Sequence, residues 1–188
     1  MRLRARGEPA ASLGRAAHDI GLGALIGGNL FARVGMHPAL GELRDPRERG
    51  KVLNAAWRRY GTVNSLSLVA LVAGWAGARA EETRLRSARE RGLAGARDGA
   101  VAAVVVSGVA AALQGMRFAR MEPGGAVPLA DGSRAAALTP DREARAKRAL
   151  NALGNLNLAS ALALAAVNAA RGQQDVIGPL RRRASRRR

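Results

Sequence analysis

The residues best suited to chemistry are the chain's only two lysines, Lys51 and Lys147, set among 29 arginines. A lysine offers a compact point charge, whereas arginine offers a planar, bidentate fork. The two lysines sit in similar surroundings. Arg49-Gly50-Lys51 precedes Leu53-Asn54-Ala55, and Arg145-Ala146-Lys147 precedes Leu150-Asn151-Ala152. Upstream, Phe31-Ala32-Arg33 matches Phe118-Ala119-Arg120. The paired set Arg33/Arg120, Lys51/Lys147 and Asn54/Asn151 has the donors to hold an anionic headgroup or a carboxylate. Helical spacing adds two more residues: His18, Leu22, Ile26, Asn29 and Arg33 step by three or four and so share one face. These eight residues (His18, Asn29, Arg33, Lys51, Asn54, Arg120, Lys147 and Asn151) form the candidate ligand site.

Catalytic and metal chemistry have less to work with. Cysteine is absent and only two histidines occur, so thiolate and His-built metal sites are not expected, and no cofactor is assigned. His18-Asp19 is an adjacent pair, and neighbours on a helix point about 100° apart, so it makes a poor base and orienter. His37-Pro38 falls in a loop with no evident partner. No nucleophile-elbow, zincin, Walker or dinucleotide pattern is present.

The elements that must position these residues are legible from charge. The net charge of +17 alone suggests a nucleic-acid binder. Five aromatics (Phe31, Phe118, Trp57, Trp75, Tyr60) are too few for a base-stacking platform. The charge is also strongly segregated. Tyr60 to Ala78, Gly99 to Met116 and Ala149 to Ala170 carry none in 19, 18 and 22 residues. A helix of 19 residues spans about 28 Å, close to the ~30 Å hydrocarbon core. A fourth candidate, about 16–35, is weaker: its uncharged stretch, Ile20 to Ala32, has 13 residues. Gly23 with Gly27, and Gly108 with Ala112, are spaced for close helix packing in lipid. Arg2, Arg4 and Arg6 resemble the start of a secretory signal, but His18 and Asp19 interrupt the apolar run it needs.

The matched motifs imply an internal duplication. The expected fold is all-α: a four-helix transmembrane bundle built from two tandem helical hairpins. Repeat 1 covers 15–79 with spans at about 16–35 and 60–78. Repeat 2 covers 94–171 with spans at about 99–116 and 149–170. A basic segment 1–14, an Arg-rich linker 80–93 and an Arg-rich tail 172–188 flank them. Loop 34–58 should lie beside loop 121–148, the longer by the Gly/Pro/Ala segment 122–140. A parallel repeat of this kind has its axis along the membrane normal. Termini and linker carry 17 Lys/Arg against 14 for the loops, and the tail Arg181 to Arg188 holds six of them. The expected location is therefore the cytoplasmic membrane, with both termini cytoplasmic. Within the tail, Arg182-Arg183-Ala184-Ser185 matches a basic-directed phosphorylation pattern.

Gly28 and Phe31, then His37-Pro38-Ala39-Leu40, then Ala56-Trp57-Arg58-Arg59-Tyr60 leading into a span, resemble small four-span bacterial membrane proteins, including the anthrone-oxygenase-like family. The resemblance covers about residues 20–78. The Ala, Gly and Arg content is similar to that of actinobacterial proteins. The resemblance implies a cofactor-free oxygenase acting on a lipophilic aromatic, with His18, Trp57 and Tyr60 the residues to test.

Three functions fit the residues. The first is a membrane protein that binds a lipid or apolar ligand, or assembles with other membrane proteins or with itself. Its Arg-rich ends would meet anionic headgroups. The second is a membrane enzyme on an apolar substrate. The third is a soluble basic bundle on nucleic acid, which the charge segregation disfavours.

Overall fold

The structure, a computed structural model, describes residues 7–81 and 88–185, with side chains over 12–79 and 90–173. The side chains of the basic N-terminal segment, of the Arg-rich linker and of the tail with its Arg-Arg-Ala-Ser stretch fall largely outside those described.

Glycine, alanine and leucine carry the chain into α1 (Gly7–Phe31), which continues through a π-helical turn (Ala32–Met36) into α2 (His37–Leu40). Pro38 explains that turn. Its ring would collide with the carbonyl four residues earlier and has no N–H to give it. The wider π register, closed by His37 N–H to Ala32 O, makes room. Asp45 and Pro46 start α3 (Pro46–Glu81). The Asp45 carboxylate accepts the Arg47 N–H at 2.9 Å, and proline at the first helical position has no donor to lose. Then come α4 (Ala88–Ala119) and α5 (Asp141–Ser185), the latter opening with Asp141 and Glu143 beside the positive end of its dipole. Among the described residues there is no strand, only an isolated bridge between Leu129 and Ala135.

The helices pair as α1 with α3 and α4 with α5, with α1 also meeting α5 and α3 meeting α4. Leu22, Leu25, Leu71, Val101, Val104, Ala161 and Leu164 fill the middle. Polar side chains tie the helices: Tyr60 Oη donates to Ala24 O, and Asn157 Nδ2 to Val104 O and Ser107 Oγ. Such bonds average about 0.6 kcal/mol each in a membrane.

Among the described residues, three helices are long and apolar enough to cross a membrane: Pro46–Arg79, Glu90–Ala119 and Asp141–Gln173. Only 17%, 22% and 17% of their most apolar windows are buried, so leucine and valine face outward. Large outward apolar surface is unusual for a monomer in water. The expected fourth span does not reach that standard. Gly21, Gly23, Gly27, Gly28, Asn29, His18 and Asp19 dilute the apolar content of α1.

Two further expectations are corrected. Most of the expected loop 34–58 is helix, so Lys51, Asn54 and Trp57 ride on α3. Loss of apolar character marks where a membrane could end, not where a helix does. The expected close packing through Gly23 and Gly27 is absent: a Cβ at either would meet open space. The close approach uses Gly21 and Gly28 on α1 and Gly74 on α3. A Cβ on Gly21 would lie 2.5 Å from Ser67 O, and one on Gly74 2.2 Å from Gly14 O.

Candidate functional site

One end of the bundle is closed by a cap built from residues 37–57 and 118–151. The Gly/Pro/Ala segment supplies its centre rather than a slack connection. Val127, Pro128 and Leu129 are fully buried, packed with Leu40, Leu53, Phe118 and Ala146. Consecutive left-handed glycines, Gly124 and Gly125 (φ 64° and 73°), turn the chain under Asn54, whose amide donates to Gly125 O at 2.8 Å. Gly50 lets α3 approach, since a Cβ there would lie 2.1 Å from Val127 O. Leu129 N–H donates to Pro46 O and Gly132 N–H to His37 O.

Arg49 is the hub. Its guanidinium donates five hydrogen bonds: Nε and Nη2 to Leu43 O, Nη2 to Gly41 O, and Nη1 to Leu129 O and Ala130 O, at 2.5–3.2 Å. That uses all the donors an arginine has. Asp131 organises the turn beyond. Its carboxylate accepts from Ser133 N and Oγ, and from Arg134 N and Nε.

The structure separates the eight candidate residues. Arg33, Lys147 and Asn151 come together where the π turn meets α5. Arg33 Nη1 donates to Asn155 Oδ1, Asn151 Nδ2 to Ser133 O, and Lys147 Nζ to Gly132 O at 2.5 Å. Lys147 is only 3% exposed and lies 5.9 Å from the Phe118 ring centre. Asn54 serves the cap, and Asn29 turns back to Leu25 O on its own helix. Lys51 and Arg120 are exposed, so the matched lysines have opposite surroundings. His18 lies at the other end of the bundle, donating from Nδ1 to Leu71 O and accepting at Nε2 from Asn168.

His37, placed by the sequence in a loop, is half-buried in helix beside this group. Burial, then Lys147 and Arg33, lower its pKa to about 4 against the ordinary 6.5, and Asp131 opposes them weakly. Burial pushes the Asp131 carboxyl up, but its bonds from Ser133 and Arg134 outweigh that and hold it at about 2. The consequence for stability has a definite sign. Above pH 6.5 the His37 ring is neutral in both folded and unfolded chain. As pH falls from 6.5 to about 4 the unfolded chain takes up a proton that the folded one resists, so stability is lost across that window. Asp131 adds its own loss only from 3.8 down to about 2. Thermal midpoints should therefore fall between pH 7.5 and 4.5, and His37→Gln should flatten that slope. An unchanged slope in the variant would exclude His37 as its source.

Two grooves open on the outer surface. One, of about 370 Å³, lies between α1 and α3 and is lined by Gly28, Phe31, Met36, Trp57, Tyr60 and Val63, with Arg59 at its rim. Trp57 and Tyr60 meet edge to face at 6.0 Å. The other, of about 400 Å³, lies between α1 and α5 beside Asp19, Leu22, Ile26 and Asn168. Of the three residues implied by the oxygenase resemblance, Trp57 and Tyr60 share the first groove and His18 is at the opposite end. Among the described residues no three His, Asp or Glu side chains gather as a metal site would need.

In the sequence Arg49 stands only as part of a matched motif and His37 as a loop residue without a partner, and neither they nor Asp131 are candidate site residues. Nothing distinguishes Arg49 among 29 arginines, whereas Asp131-Gly132-Ser133 carries a recognisable turn signal. Comparison with known proteins finds no family model, no curated protein and no solved structure that matches the chain.

Proposed function

We propose that the chain is a four-span membrane protein, two tandem hairpins with both termini cytoplasmic, that holds a lipid tail or another apolar molecule against its α1–α3 surface. The observation that carries this reading is the groove under Trp57. Its walls are aromatic and aliphatic, its volume suits part of an acyl chain, and Arg59 stands at its rim for a headgroup or carboxylate. The outward leucines and valines would face lipid or a second membrane protein, and the basic ends anionic headgroups.

Trp57 and Trp75 are the only tryptophans, which gives a direct test. With Trp75→Phe leaving Trp57 as the sole emitter, a doxyl-labelled fatty acid titrated in detergent should quench it saturably. Ala56 also lines the groove, and Ala56→Phe, which fills it, should weaken that quenching about tenfold. If Trp75, studied alone through Trp57→Phe, is quenched equally, the groove has no special affinity and the reading fails. Release of the protein from membranes by high salt or alkaline carbonate would refute the spans themselves.

A second reading, a membrane enzyme on an apolar aromatic, draws on one observation: Trp57 and Tyr60 line the same groove. Oxygen uptake with a lipophilic aromatic, lost in Tyr60→Phe, would favour it over binding alone.

A further inference from the structure

At the junction of the π turn with α5, buried polar groups lack partners, and Glu143, one turn before Lys147 on the same face of α5, also keeps its buried Oε2 without one. Three cationic or imidazole side chains converge there, and two of their nitrogens have no hydrogen-bond partner although buried: Arg33 Nε and His37 Nε2. Lys147, nearly fully buried, gives one hydrogen bond, to Gly132 O, and an ammonium has three to give. Asp131 is the carboxylate that acts on both His37 and Lys147. Its oxygens already accept four bonds from Ser133 and Arg134. Buried polar nitrogens without partners destabilise a fold, and buried cations more so, unless something satisfies them. Around them, Asn151 and Asn155 continue the Lys147 face of α5 at four-residue steps and line the same column with amides.

We propose that Arg33, His37 and Lys147 form a binding site for an oxyanion of the phosphate or carboxylate class, between the π turn and α5. The arginine supplies directional N–H donors and the lysine a point charge. Arg33 and His37 are four residues apart and so share one face of their helix; Arg33 reaches Asn155 on α5, and the His37 ring packs on Gly132, whose carbonyl accepts from Lys147. This site shares no residue with the groove under Trp57, and it stands or falls independently of the apolar ligand proposed there.

The test uses the full chain in detergent, with thermal midpoints measured in sodium phosphate, sulfate and chloride at matched ionic strength. Phosphate and sulfate should stabilise the protein over chloride. Lys147→Met and Arg33→Lys should weaken apparent phosphate affinity at least about tenfold. Arg33→Lys retains the charge and protects the test against loss of fold, which circular dichroism monitors. Lys51→Met is the control: exposed Lys51 should leave affinity unchanged. The anion can be free or belong to a lipid. A companion series in nanodiscs of phosphatidylcholine with or without phosphatidic acid distinguishes these sources. Stabilisation by phosphatidic acid but not by free phosphate, lost in Lys147→Met, assigns the site to a headgroup. No stabilisation by either probe, or equal weakening by Lys51→Met and Lys147→Met, overturns the proposal.

Discussion

Arg49→Met is expected to destabilise the cap by about 3–5 kcal/mol, one of the largest single effects available in this chain. The guanidinium serves four carbonyls from two separate segments, Gly41, Leu43, Leu129 and Ala130. Removing it strands these acceptors together in a partly buried place, and no apolar side chain replaces even one bond. Arg49→Lys should recover only part of the loss, because an ammonium has three donors and no planar fork. Thermal unfolding in detergent should show a fall of about 10 °C for Arg49→Met, with residues 121–140 becoming cleavable by protease while the helical signal persists. The matched arginine, Arg145, is exposed, and Arg145→Met should stay within about 0.5 kcal/mol of the parent. A midpoint for Arg49→Met within a degree or two of wild type would show that the cap does not depend on this hub.

The contrast between Arg49 and Arg145 marks a limit of reading a chain by its motifs. The matched motifs put the two arginines at like positions, and likewise the two lysines, yet in each pair one member is engaged and the other faces solvent. The asymmetry comes from the second connection. Its extra residues fold into the cap, bury Val127 to Leu129, and present carbonyls to Arg49, Asn54 and Lys147 but none to Lys51. Sequence spacing carries local geometry. It does not carry which side of a junction a long insertion will cover.

Charge segregation was the more dependable guide, because the cost of placing charge among apolar side chains acts on every residue of a span at once. Three helices follow that pattern. α1 does not, for a reason also visible in the sequence: its glycines exchange apolar surface for proximity to α3. The polar stripe from His18 to Arg33 was legible as one face, and its two ends do reach α5, at Asn168 and Asn155. The role of His37 was not legible. Its place in a loop followed from where the apolar stretch ends, whereas the helix runs on through a π turn that accommodates Pro38.

Gly21→Ala should separate α1 from α3, whereas Gly23→Ala, two residues on, should not. The methyl group on residue 21 would lie 2.5 Å from Ser67 O and 3.1 Å from Leu71 N, both backbone atoms that cannot rotate away. The helices must move apart, costing about 1–3 kcal/mol, against which alanine's helix propensity returns about 1 kcal/mol at most. The shift would also stretch the bond from His18 Nδ1 to Leu71 O, loosening the three-helix tie through Asn168. At residue 23 a methyl group meets open space, so only the propensity gain remains, and Gly23→Ala should be neutral or slightly more stable. Gly74→Ala approaches the same interface from α3, where its Cβ would strike Gly14 O and the His18 backbone. If the helix separation is the shared cost, the double variant Gly21→Ala/Gly74→Ala should be less destabilised than the sum of the two, because the second methyl enters a gap the first has opened. Strict additivity would mean the two clashes are relieved locally and the helices stay in place. Equal midpoints for the variants at 21 and 23 would remove the close crossing altogether and leave α1 held by its side chains alone.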